Sequence, residues 1–494
     1  MKRIANHPLV VELARNKSAG NRLRSIYFDT PDFSLPGLGV VLRVRSQEGR
    51  WIQTVKTAGK ASGGFHQRGE FESRVADATP DYARLVSEHG LELFSDPGLV
   101  EALSPIFETD FWRSSWDLCL PCGSVVELSL DDGEVKADTE TTPICEMELE
   151  LKQGRPEVLY EIALEIAKSV HMRLENVSKA ERGYALLRKP TPTPSKKNAA
   201  KVKSDMTVEE AYAAILEGSL AQIQGNESVI LETDNPEGVH QMRIGLRRFR
   251  TCLSLFRKWV PGEFRTNVRD EINVFRSVLG EARDWDVFLE NHHPYLAALD
   301  RRRDDWRVLL AAAEHRRSRQ YLVLRDVLSS SQYHLSMLRL SAWVHCRGWR
   351  ESIDPGMQED FQQPLRTQVN RMLSRGHRGV LRRYDEARTG NPEALHQLRI
   401  AVKRQRYAVE FFRRMGPRSQ VKKYRRAVRG LQELLGHLND ASVAAELLRT
   451  LEPGREFDSN LSCSLDWNEL MFGAYLERLP QAWKRFSRQR KFWK

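Results

Sequence analysis

Several short runs in the first 200 residues alternate charged and apolar side chains with a period of two. Leu42-Arg43-Val44-Arg45 sets two guanidinium groups on one side, and Ile52 to Lys56 groups Ile52, Thr54 and Lys56. Glu70-Phe71-Glu72 pairs two carboxylates, and Val126 to Asp131 aligns Glu127, Ser129 and Asp131. In Cys145 to Lys152, Glu146, Glu148, Glu150 and Lys152 share one face. Successive side chains of a strand point to opposite faces, so each run offers one charged face. Converging Arg and Lys groups bind phosphate oxygens, and converging carboxylates hold a divalent metal that also touches the phosphates. Hydrolysis then needs a positioned water and stabilisation of charge on the transferring phosphoryl group.

The elements that must position these groups are antiparallel strands. Half-buried strands alternate by default. The departure here is a polar face that is almost wholly charged. Closure of the strands into a barrel would turn that face into a lumen. Helical patterns occur around 80–93 and 156–169. The stretch 189–205, rich in Pro, Thr, Ser and Lys, reads as a linker, with Ser204 or Asp205 able to cap a helix near Met206.

The second half carries an internal repeat. Asn235-Pro236-Glu237-Gly238-Val239-His240-Gln241-Met242-Arg243-Ile244 recurs 156 residues on as Asn391-Pro392-Glu393-Ala394-Leu395-His396-Gln397-Leu398-Arg399-Ile400. The register continues through Leu279-Gly280 on Leu435-Gly436 and Asp284 on Asp440. One register held that far indicates two related units. Met242, Leu246, Phe249 and Leu253 form an apolar helical stripe. Beside it run His240, Arg243, Arg247 and Arg250, and in the second copy His396, Arg399, Lys403 and Arg406. Arg248 and Arg404 fall off this stripe by helical angle. Asp284 and Asp440 follow Gly-containing segments read as helix ends, where they could cap the next helix. The stretches 296–327 and 357–384 are also helical in pattern. Two basic stripes facing one surface would bind a linear polyanion through several phosphate contacts.

Charge supports that division. Residues 1–200 hold 26 Lys+Arg and 29 Asp+Glu, whereas 201–494 hold 51 and 37. Only Phe249 and Tyr407 interleave with the basic stripes, so base stacking of nucleic acid is poorly supported. No apolar run approaches the roughly 18 residues of a membrane span, and the N-terminus shows no secretory apolar region. Six scattered cysteines (119, 122, 145, 252, 346 and 463) read as reduced cytosolic thiols. Cys119 and Cys122 lack the second ligand pair of a zinc site.

Ile26-Tyr27-Phe28-Asp29-Thr30-Pro31, the Arg43/Arg45 and Lys56 strands, and Arg68-Gly69-Glu70-Phe71-Glu72 resemble, in order, segments of the CYTH family, the triphosphate tunnel metalloenzymes. So do Val126-Glu127-Leu128 with Asp131 and Gly133, the Glu146–Lys152 strand, and Lys179-Ala180-Glu181-Arg182-Gly183-Tyr184. The resemblance implies an eight-stranded antiparallel tunnel binding triphosphate with Mg2+ or Mn2+. Phosphate binding would fall to Arg43, Arg45, Lys56, Arg113, Lys179 and Arg182, and metal binding to Glu127, Asp131, Glu146, Glu148 and Glu150. Glu70 and Glu72 would orient basic groups or water, with Lys56 in the catalytic set. The family's opening ExExK strand is missing, and Met1-Lys2-Arg3-Ile4 resembles the helix that follows it. The expectation is a start upstream; the other reading is an incomplete tunnel in a non-catalytic polyphosphate-binding protein. Adenylate cyclase and thiamine triphosphatase activities share this fold.

The two HQxRI helices and the LGxxRD and LGxxND segments resemble the CHAD family. That implies two four-helix halves binding inorganic polyphosphate through His240, Arg243, Arg247, Arg250, His396, Arg399, Lys403 and Arg406. The basic tail (Lys484, Arg485, Arg488, Arg490, Lys491 and Lys494) adds positive charge. The expected architecture is multidomain α+β. An antiparallel β-barrel tunnel (1–188, lacking its first strand) and a linker (189–205) precede an all-α bundle with an internal two-fold repeat (206–490, halves about 206–345 and 356–490). The expected activity is a metal-dependent inorganic triphosphatase, cytoplasmic and associated with polyphosphate granules.

Overall fold

The computed structural model describes residues 1–17, 20–67, 69–196, 202–298, 304–451 and 458–493. Arg68, Lys494, linker residues 197–201 and the side chain of Cys463 lie outside the described residues. The chain divides into two compact units, Met1–Thr191 with Met337–Ala342, and Pro192–Ser336 with Trp343–Lys494.

The first unit opens with short helices α1 (Lys2–Ala5) and α2 (Pro8–Leu13), then strands β1 (Ala14–Lys17) and β2 (Asn21–Asp29). After α3 (Ser34–Gly37) come β3 (Val40–Gln47), β4 (Arg50–Thr57), the small hairpin β5 (Lys60–Ser62) and β6 (Phe65–Gln67), and β7 (Glu70–Val75). Helices α4 (Tyr82–His89) and α5 (Pro97–Ala102) precede the long strands β8 (Ser104–Cys119), β9 (Val125–Ala137) and β10 (Glu140–Gln153). Helices α6 (Glu157–Ala167) and α7 (Lys179–Arg188) close the unit. The main sheet is antiparallel, ordered β10-β9-β8-β2-β3-β4-β7, with β1 also on β8. Its end strands β10 and β7 do not pair, so among the described residues the sheet is open rather than the closed barrel expected from the sequence. Closure requires those two edges to hydrogen-bond to each other or to a further strand.

The alternation explains how the sheet is covered. Leu42, Val44 and Val55 point to one face and are fully buried with Phe28, Leu85 and Phe94. Each such side chain contributes ~1.5–3 kcal/mol relative to exposure. Further along the same face, Trp116, Leu118, Val126 and Leu128 pack with Val158 and Ile162 of α6. The opposite face is apolar only at one end. There Tyr27 stacks on Phe107 at 4.5 Å, and Tyr184 of α7 meets Phe107 edge-on at 5.2 Å. The Ser178/Glu181 capping box starts α7. Tyr184 donates to the buried Asp29 carboxylate at 2.7 Å, pinning the helix to β2. Gly133 lets β9 lie close against β8: a Cβ there would meet the Asp110 carbonyl oxygen at 2.2 Å and Phe111 Cα at 2.5 Å. Gly133→Ala is therefore expected to destabilise the unit by about 2 kcal/mol or more, seen as an earlier first transition in urea unfolding. An unchanged midpoint would show that the backbone yields.

The rest of the chain is helical: α8 (Val208–Gln224), α9 (Glu227–Glu232), α10 (Pro236–Leu255), α11 (Gly262–Ala298), α12 (Asp304–Leu328), α13 (Ser331–His345), α14 (Pro355–Phe361), α15 (Leu365–Ala387), α16 (Pro392–Phe411), α17 (Arg418–Thr450) and α18 (Asp458–Ser487), all in the second unit but for residues 337–342 of α13. Shifted by 156 residues, α10 coincides with α16 end to end, and α8, α11 and α12 fall on α15, α17 and α18. The internal repeat is thus structural. Asn235 and Asn391 cap α10 and α16 through the N–H groups of Glu237 and Ala394. Two expected caps differ. Thr207, not Ser204 or Asp205, caps α8 through a box with Glu210, because the helix starts later than the composition suggested. Asp284 and Asp440 lie inside α11 and α17, because Gly280 and Gly436 are carried within the helices instead of ending them.

Candidate functional site

Strand register gathers the charged runs of the first unit. Tyr27 lies opposite Arg43, Arg43 opposite Thr54, and Thr54 opposite Glu72. Ser25 lies opposite Arg45, and Lys56 opposite Glu70. On the other wing, Arg113 lies opposite Asp131, and Asp131 opposite Glu146. All of these occupy one face of one sheet.

The two wings differ electrostatically. On the first, cations outnumber partners. Arg43 is 7% exposed, and its buried Nε has no hydrogen-bond partner among the described residues. Burial and the neighbouring Arg43 push Arg45 down to about 9, and Arg113 adds to the effect. Lys56 is lowered by burial and Arg43, against its ion pair with Glu70. Burial alone would raise the Tyr27 phenol; the charges of Arg43, Arg45 and Lys56 lower it. Such a surplus of buried positive charge is a place for an anion.

On the second wing, carboxylates converge. Arg113 donates from Nε and Nη2 to the fully buried Asp131 at 2.7 and 2.6 Å, and Nη2 also meets Glu148. Lys179 Nζ lies 2.7 Å from both Asp131 and Glu148 and pairs with Glu146, which Arg182 also holds. Burial would raise the Glu148 carboxyl, but Lys179 and Arg113 outweigh it and hold it well below the usual range. Asp131, Glu146 and Glu148 each offer an oxygen within 4.8 Å of the others. Three hard oxygen donors on adjacent strands suit Mg2+ or Mn2+.

In the helical unit, Arg243 of α10 donates to the carbonyls of Leu279 and Gly280 at 2.9 and 2.5 Å, and lies 3.8 Å from Asp284. Its repeat mate Arg399 of α16 donates to Asn439 at 2.7 Å and lies 3.8 Å from Asp440. Burial, with Arg247 nearby, pushes Arg243 down to about 10. A groove of ~540 Å3 opens between α10, α16 and α17, where His240, Arg247 and Arg406 meet Lys422, Arg425, Arg426 and Arg429. Arg406 stacks over Tyr407, 4.7 Å from its ring centre, and Arg429 is paired with Glu433 at 2.6 Å.

The CYTH domain family model matches residues 4–184, and the CHAD domain model matches 214–449. The chain carries a CYTH domain followed by a CHAD domain. Over 165 residues it is 33% identical to an inorganic triphosphatase of Haemophilus influenzae, a match spanning 33% of this chain and 46% of that protein. The chain thus spans less than half the length of that relative. A crystal structure of the CHAD domain from the plant Ricinus communis aligns with 60% of this chain and 98% of its own, at 28% identity and a TM-score of 0.48. PptA from Streptomyces chartreusis aligns with 56% of this chain and 99% of its own, at 16% identity and a TM-score of 0.40.

Within the CYTH domain, the five expected metal ligands separate. Asp131, Glu146 and Glu148 cluster, whereas Glu127 and Glu150 bind Lys152 at 3.2 and 2.9 Å. All six expected phosphate-binding cations line the charged face: Arg43, Arg45 and Lys56 in surplus, Arg113, Lys179 and Arg182 tied to the acids. Glu70 pairs with Lys56, and Glu72 accepts from Thr54 at 3.0 Å. Sequence reading missed Tyr27 and Ser25, whose hydroxyl accepts from Arg45 Nε at 3.0 Å. Their alternation with Ile26 was the available signal.

Within the CHAD domain, Arg243, Arg247, Arg399 and Lys403 gather with Asp284 and Asp440, as their mutual electrostatic influence requires. Arg250 is exposed and feels mainly Arg276, Arg269 and Arg404, with Arg247 a weaker influence. His240 is half-buried in the groove, and His396 is exposed. Arg248 is buried, 5.7 Å from the Phe411 ring centre. The α17 cations of the groove were not anticipated. CXXC residues Cys119 and Cys122 flank the turn between β8 and β9, and Cys122 Sγ donates to Ser124 at 3.3 Å. No helix among the described residues is long and apolar enough to cross a membrane.

Proposed function

We propose that the CYTH domain hydrolyses inorganic triphosphate with Mg2+ or Mn2+, and that the CHAD domain binds inorganic polyphosphate. The observation that carries this reading is one sheet face bearing buried, under-neutralised cations on one wing and three converging carboxylates on the other. Arg43, Arg45 and Lys56 bind and orient the phosphate chain. Asp131, Glu146 and Glu148 would hold the divalent cation, which when bound polarises the terminal phosphoryl group. Arg113, Lys179 and Arg182, already close to those acids, neutralise charge that grows on the phosphoryl oxygens. Glu70 and Glu72 orient Lys56 and the attacking water. The water oxygen bonds to the terminal phosphorus as the bridging P–O bond breaks, giving orthophosphate and pyrophosphate, and the water's proton passes to solvent.

In the CHAD domain, the α10, α16 and α17 cations support a chain of phosphates held by many weak contacts. The similarity to a triphosphatase supports reading the chain as a cytoplasmic protein that meets polyphosphate granules.

Side-by-side turnover of inorganic triphosphate, ATP and thiamine triphosphate tests the substrate. Inorganic triphosphate presents ionised terminal phosphoryl groups at both ends to the cations, whereas the other two bury one end in an ester, so a preference in kcat/KM for inorganic triphosphate of about tenfold or more is expected. Cyclic nucleotide formed from ATP as the main product would overturn the reading.

A further inference from the structure

We propose that the CHAD domain takes up a proton at Lys403 when it binds a condensed phosphate chain, so that it holds polyphosphate more tightly as pH falls. The inference rests on the polyphosphate reading above and adds a protonation step to it.

The geometry is a crowded cluster in which, among the described residues, the cations Arg247 and Lys403 lack a hydrogen-bond acceptor or ion-pair partner, and of these two only the lysine can lose its proton in this range. Lys403 lies one turn beyond Arg399 on α16. Arg243 and Arg247 of α10, Arg399 of its own helix and Asp440 of α17 act on it. Asp284 of α11 completes the group beside Arg243, and it feels the charge of Asp440. Helix α15 meets another side of α16, through Gln405 donating to the Leu373 carbonyl at 3.3 Å. The two anchored arginines have fixed acceptors: Leu279 and Gly280 for Arg243, and Asn439 for Arg399. Among the described residues, Lys403 has neither a hydrogen-bond acceptor nor a carboxylate within ion-pair distance.

An ammonium in that position is opposed by desolvation and by three like charges, with two carboxylates already engaged by the arginines. Burial first, then Arg247 and Arg399, push Lys403 down to about 6. The free domain therefore favours the neutral amine there far more than an ordinary lysine does. A phosphate chain supplies the missing negative charge and favours the ammonium, so the complex holds one more proton than the free partners. The bound state gains the proton, so affinity rises as pH falls. The effect spans the interval from about 6 towards the ordinary lysine value of roughly 10. An uptake of one proton corresponds to about tenfold in affinity per pH unit.

Calorimetry of the full chain with long-chain polyphosphate, whose end groups are a negligible share of its charge, tests this. Titrations near pH 7.5 in two buffers of different ionisation enthalpy should yield an uptake approaching one proton. Lys403→Arg keeps its charge throughout this range, so it should bind without uptake and with a flat pH dependence. His240 also titrates, facing Arg247, Arg283, Glu237 and Glu290, and His240→Gln should keep the uptake. Binding with equal heats in both buffers would overturn the inference while leaving polyphosphate binding intact. Uptake that persists in Lys403→Arg would overturn it by placing the proton elsewhere. No binding at all would remove the polyphosphate reading itself.

Discussion

Replacing Glu148 with Gln is expected to cut metal-dependent phosphate release from inorganic triphosphate by at least about a hundredfold, whereas Glu150→Gln costs less than about tenfold. The two residues sit two apart on one strand and face the same way, so composition and alternation treat them alike. Their surroundings do not. Glu148 joins Asp131 and Glu146 within 4.8 Å and touches both Arg113 and Lys179. Glu150 lies opposite Glu127 and shares Lys152 with it. On the proposed role, losing the Glu148 charge weakens the metal's hold and releases Arg113 and Lys179 from an ion-pair partner. Losing Glu150 trims a half-exposed ion pair, which is worth little. The measurement is phosphate release against Mg2+ concentration, with thermal melts to confirm that both variants fold. Equal losses in the two would remove the clustered trio from its assigned role.

Reversing charge on α17 is the second large effect. Lys422, Arg425 and Arg426 are exposed, so Lys422→Glu, Arg425→Glu and Arg426→Glu together should leave the fold intact. They line the groove that His240, Arg247 and Arg406 enter from the other helices. Polyphosphate binding by the triple variant should weaken by about a hundredfold or more at low salt. The slope of log affinity against log salt should become shallower by about two, because each lost phosphate contact removes about 0.7. Filter binding across a salt series reads both numbers. A lower affinity with an unchanged slope would mean that these cations act through the groove's shape and touch no phosphate.

Much of this is legible in the sequence. Alternation showed which side chains share a face: Arg43, Arg45, Thr54 and Lys56 do so in the sheet. It could not show which strands lie side by side, and that decides which acids meet. Asp131 faces Glu146 because of the β9–β10 register, and Lys179 joins them only because α7 crosses that face. Both are tertiary facts. The 156-residue repeat was legible through whole helices, yet relying on it hid the α17 cations. The residues matching Lys422, Arg425, Arg426 and Arg429 in the first copy are Thr266, Arg269, Asp270 and Asn273, so only one of the four positions keeps its charge. Glycine was over-read as a helix end at Gly280 and Gly436. Its cost within a helix is only about 1 kcal/mol, small beside the burial of Leu279 and Leu435 next to them.

The central claim is that three clustered acids and the buried cations beside them form one metal-dependent phosphate site. Phosphate release from inorganic triphosphate by the full chain, first stripped with a chelator and then given Mg2+ in steps, tests it most directly. The account predicts no release after stripping and a saturable return as the cation is restored. Release that persists through chelation, or that never returns while polyphosphate binding is intact, would contradict it.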